Sequence, residues 1–567
     1  MFIKTTKAKN YEYIKLVEAY WEDGRSKQRV LYNFGRADMM RKDESFLKIV
    51  RRLCEVAEIP ENTEPKDTLK DCSEATMFNY GYAAYLHLWR ELDIDGVLQE
   101  VESITKITYD LSQTVFLMAL QHLLEPRSKL ATHREQNRYF SLDEIALHHM
   151  YRALDHLSKN KEFIETGLFR YNYIRTNKTV DVVFYDVTTF HFESIIQDEL
   201  RDFGFSKVCK FNEVQVVLGM IIDSEGLPVG YELFSGNTFD GKTMMGALSN
   251  IKKRFGINRV IIVADRGINS KGNLNHIKQA GYGYIMASKI KGSSKDLQEK
   301  ILSDVGFNDV FDGEGQLSFR YKTIEHENIF KDENKKLHYL AENMVVSYSP
   351  KRAKKDAADR ERLVEKAKKL LESPELIKSQ NKRGGKKYLD QVSKGAATYA
   401  LAIDKIAKDA KFDGYYAIQT SEKNMSATEI MEAYHTLWKI EESFRIMKST
   451  LEVRPVFHWS KTRIEGHFVV CFLAFLMERT MERILQNTVG ETGASPEKIR
   501  EALNSMQLAA VTTGDGEKFI KTTCKPLGKE IFKNLRISQP SNISIKDEVI
   551  DNLCLPRKNE FIQMTLK

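Results

Sequence analysis

The stretch VDVVFYDVT, Val180–Thr188, decides the fold. Its β-branched and aromatic run reads as a buried strand that turns polar where Asp186 stands. Two more strands follow, EVQVVLGMIID (Glu213–Asp223) and LPVGYELFSG (Leu227–Gly236), and the turn SEG between them makes an antiparallel hairpin. Asp240 is placed to cap a helix that runs through Phe255. The strand RVIIVAD (Arg259–Asp265) comes next, then a helix from Lys271 capped by Ser270 and ended at Gly281, then the strand YGYIMASKI (Tyr282–Ile290).

The order strand, strand, strand, helix, strand, helix, strand predicts an α/β fold with a ribonuclease-H-like catalytic core. In such a core three antiparallel strands are continued by parallel ones across helical crossovers. Working outward, YEYIKLVEAYW and RVLYNFG around the turn EDG predict an N-terminal β-meander within residues 1–38. Apolar residues at three- and four-residue spacing make 39–172 helical. Residues 173–290 hold the first part of the core. Between 291 and 410 the regularity breaks, and core-like elements on both sides make this an insertion domain. It contains two strands (LSFRYKTI, HYLAENMVVSY), a charged helix and the basic loop KSQNKRGGKK. Residues 411–490 bring the second part of the core, with the strand DGYYAIQT and a long helix capped by Ser426 that runs to Leu451. Residues 491–567 form a C-terminal helical region, a candidate for dimerisation.

The chain has 567 residues, 86 Lys and Arg against 79 Asp and Glu, and a formal charge of +7, so the location of charge matters more than its total. Lys351–Lys387 holds 14 basic and 6 acidic residues, a net of +8 that exceeds the excess of the whole chain. That points to polyanion contact or to a solvated charged helix. The six cysteines are scattered without a C-x-x-C pair, which suits a reducing compartment. The opening MFIKTTKAKN lacks the apolar core of a secretory signal, and the longest apolar run, Phe468–Met477, is too short for a bilayer. These features predict a cytoplasmic protein with no membrane partner.

Asp186 and Asp265 each end a core strand, the position where ligands collect in open α/β sheets. A carboxylate among aliphatic residues needs a partner or a metal to offset its desolvation. Each taken alone reads equally as a strand-end cap. The helix AYHTLWKIEESFRIMKSTL (Ala433–Leu451) supplies a third acid. At about 100° per residue, Leu437, Ile440, Phe444, Met447 and Leu451 form the stripe that faces the sheet. Tyr434, Glu441, Arg445 and Lys448 fall within roughly 60° on its edge, while Glu442 is expected to point to solvent. An ordinary amphipathic helix with a Glu441–Arg445 pair gives the same pattern. Three such carboxylates suit two Mg²⁺ ions, for which Mn²⁺ substitutes, because hard cations take oxygen ligands and share sites with phosphates. No P-loop sequence occurs, and the histidines lack a spacing such as H-E-x-x-H. His148-His149 reads as packing or surface, and Trp438 and Trp459 as core residues rather than platforms for an unpaired base.

These residues resemble a known family. YDVTTFHFE, VIIVADRGINSKGN and Y-x6-E-x6-K across Tyr434, Glu441 and Lys448 look like the DDE transposases of bacterial insertion sequences. They are most similar to the group marked by a Tyr-x2-Arg-x3-Glu-x6-Lys signature. QVVLGMIIDSEGLPVGYELFSGNTFDGKT and EVRPVFHWSKTRIEGHFVVCFLAF share the likeness, which covers about residues 179–290 and 411–477. The resemblance implies metal-dependent excision and strand transfer on double-stranded DNA by a homodimer bound to paired element ends. It implies Asp186, Asp265 and Glu441 as catalytic metal ligands, with Tyr434 and Lys448 as their signature partners. Position 437 departs from the signature, since Leu stands where Arg is expected, and Arg445 is the substitute this reading offers for the phosphate contact. Arg266, next to Asp265, joins the expected DNA contacts. A nuclease of the same fold without strand transfer, or a DNA-binding protein derived from a transposase and no longer catalytic, are the alternatives.

Overall fold

A computed structural model describes residues 1–555 apart from 9–10, 23–24, 58–75, 179, 205–212, 239, 257–259, 265–266, 268, 332–334, 373–383, 393–398, 454–455, 457, 490–493 and 514–515. The chain divides into two compact units, Met1–Thr76 with Ala510–Lys518, and Met77–Ala509 with Phe519–Lys567. In the first unit β1 (Phe2–Ala8), β2 (Tyr11–Glu22) and β3 (Arg25–Arg36) pair antiparallel in the order β1-β2-β3, as the meander pattern predicts. The short α1 (Ala37–Met40) and α2 (Glu44–Val56) follow, the latter started by the Asp43 carboxylate, which accepts a hydrogen bond from the Phe46 amide.

The strand β4 (Thr76–Asn79) leads into α3 (Ala83–Glu91), α4 (Ile94–Ser103), α5 (Leu111–Leu124), α6 (Lys129–Glu135), α7 (Leu147–Lys159) and α8 (Lys161–Phe169). Every residue of LSQTVFLMALQHLL in α5 except Gln113 is buried. A helix apolar on all sides belongs inside a bundle, and α5 accordingly packs against α7 and the later helix α16 (Lys461–Val489). Gly466 brings α16 and α7 together, since a Cβ there would lie 2.0 Å from the Leu154 carbonyl oxygen.

The core strands are β5 (Val182–His191), β6 (Gln215–Asp223), β7 (Pro228–Ser235), β8 (Ile261–Ala264) and β9 (Gly283–Ala287), with α9 (Asp240–Phe255) before β8 and α10 (Lys271–Gln279) before β9. β5, β6 and β7 pair antiparallel, and β8 and β9 continue parallel from β5. The turn expected at Ser224–Gly226 is held by the Asp223 carboxylate, which accepts from the amides of Glu225 and Leu227, and Gly226 adopts φ +87°. Ser270 caps α10 by accepting from the Asn273 amide.

After α11 (Lys295–Leu302), the strands β10 (Asn308–Phe311), β11 (Leu317–Lys331) and β12 (Leu337–Tyr348) join the same sheet. α12 (Pro350–Leu371), the small β13–β14 pair (Leu389–Gln391 and Tyr399–Leu401) and α13 (Ile403–Ala410) precede β15 (Tyr415–Thr420). The result is one mixed sheet of nine strands in the order β10-β11-β12-β15-β9-β8-β5-β6-β7. The inserted residues thus extend the core sheet. β6 is buried at every position, whereas β11 alternates along much of its length between exposed and half-buried residues. The sequence carries that difference: QVVLGMIID is almost wholly apolar, and TIEHENIF alternates.

One face of the sheet is covered by α9 and α10. Val183, Tyr185 and Val187 of β5 join Val217, Ile221, Met244, Ile262, Leu274 and Ile277 in that core. Glu165 of α8, 2% exposed, ties the helices to the sheet through Lys161 (3.0 Å), Arg254 (2.6 Å) and the Tyr231 amide (3.2 Å). Removing one partner of such a network strands a buried charge at about 3–5 kcal/mol.

The helix expected from Ser426 to Leu451 is not continuous. Ser426 and Glu429 form a capping box at α14 (Ala427–His435), but the chain turns at Thr436–Leu437 before α15 (Trp438–Arg445). There the Thr436 hydroxyl donates to the Glu432 carbonyl (3.0 Å), and the amides of Leu437, Lys439 and Ile440 bond three residues back. Beyond Arg445 the helix widens into a π turn, Ile446–Thr450, closed by Leu451 N to Ile446 O at 2.9 Å. No described helix is long and apolar enough to cross a membrane.

Candidate active site

Side chains alternate along β5, so Asp186, Thr188 and Phe190 lie on the face opposite Tyr185 and Val187. That second face receives α15 and α16. Phe190 meets Phe468 of α16 edge-on, with ring centroids 5.3 Å apart. Ile440, Phe444 and Met447 are buried and press α15 and its π turn into the fold, as the apolar stripe predicts. Lys448 donates a hydrogen bond to the Thr188 hydroxyl, and its ammonium stands 5.7 Å from the centre of the Phe190 ring. At the other end of α15, Lys439 donates to the Ser224 carbonyl (3.0 Å). The helix is therefore tethered at both ends, to β5 itself and to the turn that closes β6.

Asp186 is half-buried on this face, opposite Met220 in the β5–β6 register. Glu441 is exposed and makes no hydrogen bond or ion pair among the described residues. Asp265 and Arg266 lie outside the described residues. The strand before them runs parallel to β5, with Val182 opposite Ile261 and Phe184 opposite Val263. Beyond them Asn269 donates to the Ala287 carbonyl (2.6 Å) and the Gln419 side chain (3.1 Å), fixing the start of α10 against β9 and β15.

The hydroxyl of Tyr434 accepts from that of Tyr416 on β15 (2.8 Å), and the guanidinium of Arg352 lies 4.6 Å from the Tyr416 ring. Tyr434 is thus linked to the first turn of the basic helix α12. Beside that turn a cleft of about 350 Å³ is lined by Lys289, Lys291, Arg352, Arg360 and Lys387, with Asp356 and Asp413 among them. Part of its charge is neutralised within the chain: Arg360 pairs with Asp413, Lys387 with Asp409, and Arg352 with Asp356 at 3.6 Å.

Three expectations need correction. Glu442 does not face solvent: it is half-buried and pairs with Arg479 of α16 (3.2 Å) and with Arg445 (3.3 Å). Arg445, 72% exposed, takes Glu442 as its partner in place of Glu441, the i,i+3 neighbour on the same helix instead of the i,i+4 one. Trp438 and Trp459 are 44% and 64% exposed. Trp459 sits on the loop before α16, where Arg201 donates to its carbonyl (3.0 Å). His149 does pack, stacked on Tyr109 at 4.2 Å. Thr188 was not singled out from the sequence, although its period-two spacing from Asp186 is the signal that would have found it. The buried group of His122, Lys129, His467 and Cys471 was missed as well. Its sequence signal is faint: His467 and Cys471 are four apart on one helix, and the others come from another part of the chain.

Residues 181–477 match the family described as a transposase DDE domain, and residues 3–63 match the N-terminal domain of IS1634 family transposases. No curated protein matches the chain. Nine chains of solved structure do, among them a piggyBac transposase synaptic complex with hairpin DNA, at 9% identity and a TM-score of 0.35 over 86% of this chain and 89% of that one. The DDE match spans more than half of the chain, on the sheet and helix just described, and with the N-terminal match it means that this protein belongs to the DDE transposases of insertion sequences.

Proposed function

We propose that the protein excises an insertion sequence and joins it to target DNA by phosphoryl transfer at a site made by Asp186, Asp265 and Glu441. One observation carries the reading: α15, tethered by the Lys448–Thr188 hydrogen bond, lies on the face of β5 that bears Asp186. The strand order β7-β6-β5-β8-β9 supports the ribonuclease-H-like core of this proposal, with 291–410 as its insertion. Asp265 follows β8 directly in sequence, and β8 is the strand parallel to β5.

The donor set fits divalent cations. Carboxylate oxygens are hard ligands, and Glu441 has no competing cation among the described residues. Asp186, Asp265 and Glu441 would hold two Mg²⁺, or Mn²⁺ in their place, and such a pair stabilises both the attacking and the leaving oxygen at phosphorus. Lys448 places a point charge beside Thr188 for a backbone phosphate. Tyr434, Arg445 and Arg266 complete the proposed DNA contacts, and the cleft beside Tyr416 offers cations for the flanking duplex. Leu437 is buried, so an arginine of the Tyr-Arg-Glu-Lys signature has no counterpart at this position. Membership of that group therefore rests on Tyr434, Glu441 and Lys448. We assign DNA contact also to the helical region 39–172, and pairing of two copies on DNA to the region 491–567. The work is done in the bacterial cytoplasm, at the nucleoid.

Asp186→Ala, Asp265→Ala and Glu441→Ala should each abolish cleavage of element ends in Mg²⁺ while leaving end binding largely intact. Cleavage that persists in any one of them removes that residue from the site. A target-joining assay with precleaved ends separates transposition from simple hydrolysis: products joined to target DNA are expected, and nicks alone would make the protein a nuclease.

A further inference from the structure

Where α5, α6 and α16 meet, ligand-type side chains converge away from water. His122 of α5 and His467 and Cys471 of α16 are all buried, and one donor atom of each lies within 4.8 Å of the other two. His467 and Cys471 are four residues apart on one face of α16. The orientation of each imidazole is set from behind. His122 Nδ1 is 2.9 Å from the Leu451 carbonyl oxygen, and His467 Nε2 is 3.3 Å from that of Val453. A carbonyl can only accept, so those nitrogens carry the proton and the other nitrogen of each ring keeps its lone pair. A ring N–H anchored on a backbone carbonyl is the usual outer partner of a metal-bound histidine.

The free lone pairs point at one place. Lys129 Nζ lies 3.4 Å from His122 Nε2 and 3.5 Å from His467 Nδ1. Cys471 Sγ lies 4.0 Å from His122 Nε2, and 3.9 and 3.6 Å from Nδ1 and Nε2 of His467. Zinc bonds of about 2.1 Å to nitrogen and 2.3 Å to sulfur, at a tetrahedral angle, separate the two ligands by about 3.6 Å. From Sγ to the two lone-pair nitrogens the spacing is 4.0 Å (His122 Nε2) and 3.9 Å (His467 Nδ1), slightly wider than around a bound ion. The ammonium of Lys129 thus stands between the two lone-pair nitrogens, where an ion would sit. Lys129 is itself buried, 6% exposed.

We propose that His122, His467 and Cys471 form a site for one divalent ion of the zinc class, and that Lys129 fills it in the metal-free chain. Binding would release the thiol proton of Cys471 to solvent and turn the Lys129 amine out of the two lone pairs. A cavity of about 130 Å³ beside it, lined by Ser128, Tyr151 and His458, gives that amine room and leaves a fourth ligand position. The ion would lock Leu451–Val453, the segment that leaves the Lys448 turn, to α5 and α16. The site is built of nitrogen and sulfur, and does not depend on the carboxylate site proposed above.

The test uses Co²⁺ as the probe on the full-length protein, with Mg²⁺ in large excess to occupy oxygen-donor sites. One equivalent should raise a thiolate-to-cobalt charge-transfer band and the strong visible bands of four-coordinate cobalt, and one equivalent of Zn²⁺ should bleach both. Cys471→Ser should lose the charge-transfer band. Lys129→Met, which removes the resident cation without adding a ligand, should bind cobalt at least ten-fold more tightly. No thiolate band in the wild-type protein, or a band that survives Cys471→Ser, overturns the site. Weaker binding by Lys129→Met overturns the role given to the lysine.

Discussion

Two glutamates on successive helices of this fold meet opposite fates. Glu441 on α15 is exposed and makes no hydrogen bond or ion pair among the described residues. Glu478 on α16 is 2% exposed, and its carboxyl accepts the Tyr85 hydroxyl at 2.6 Å. Burial, with Glu482 beside it, pushes the Glu478 carboxyl well above the usual carboxylate range, and burial raises Glu482 too, although Arg479 pairs with it at 2.6 Å. Glu442 stands between the two cases. It is the neighbour of Glu441 in sequence, yet through Arg479 it belongs to the buried network. A carboxylate meant for a cation must stay charged and open to it, whereas Glu478, with Oε2 taken by Tyr85 and Oε1 buried without a partner among the described residues, is favoured in its neutral form.

The strongest way to break this comparison is to exchange the roles by mutation. Glu441→Gln should lower DNA cleavage about a hundred- to a thousandfold, the scale of losing one preorganised electrostatic group, with the melting temperature unchanged. Glu478→Ala should do the reverse. It leaves the Tyr85 hydroxyl without its acceptor and opens a void, a loss of about 2–4 kcal/mol in unfolding free energy, while the folded fraction still cleaves. A Glu478→Ala protein that melts normally but does not cut would show that the buried acid serves the chemistry.

The pH dependence of stability sharpens the same contrast. Glu478 and Glu482 have folded-state values raised above their unfolded ones, so the folded state holds protons that the unfolded state gives up. Above about pH 6.5, where unfolded histidine no longer titrates, unfolding free energy should fall as pH rises, and Glu478→Gln should flatten that decline in a urea titration repeated across pH. His122 and His458 act at the other end. Their folded-state values are lowered to about 3, so stability present above about pH 6.5 should be lost as pH falls toward 3. A stability profile that keeps rising with pH through the neutral range would contradict the assignment of Glu478.

The smallest effects concern the rim. Lys448→Ala should reduce the slope of log affinity against log salt by about one unit if the lysine neutralises one phosphate. Arg445→Ala should do the same from the Glu442 side of the helix, and an unchanged slope would remove Arg445 from the DNA contacts.

Much of this arrangement was legible in the residues. The β5–β6–β7 antiparallel set, the two parallel strands after it, the Ser270 and Ser426 caps and the three-stranded N-terminal sheet all follow from periodicity and turn chemistry. These signals act over a few residues and survive in any context that buries the right face. The burial of Ile440, Phe444 and Met447 was readable from helical spacing in the same way. The fate of Glu442 was not, because it depends on Arg479 from another helix, and the exposure of Trp438 and Trp459 depends on what happens not to cover them.

By itself, then, the order of residues determined the order of the elements and the types of side chain at their ends, since local sterics, capping and alternation operate along the chain. Only the tertiary structure decided that Lys448 reaches Thr188, that β10–β12 extend the core sheet, and that His122 and Lys129 meet His467 and Cys471. Those contacts join segments from tens to hundreds of residues apart, and their partners are chosen by shape and burial in the packed molecule, which no short-range pattern encodes.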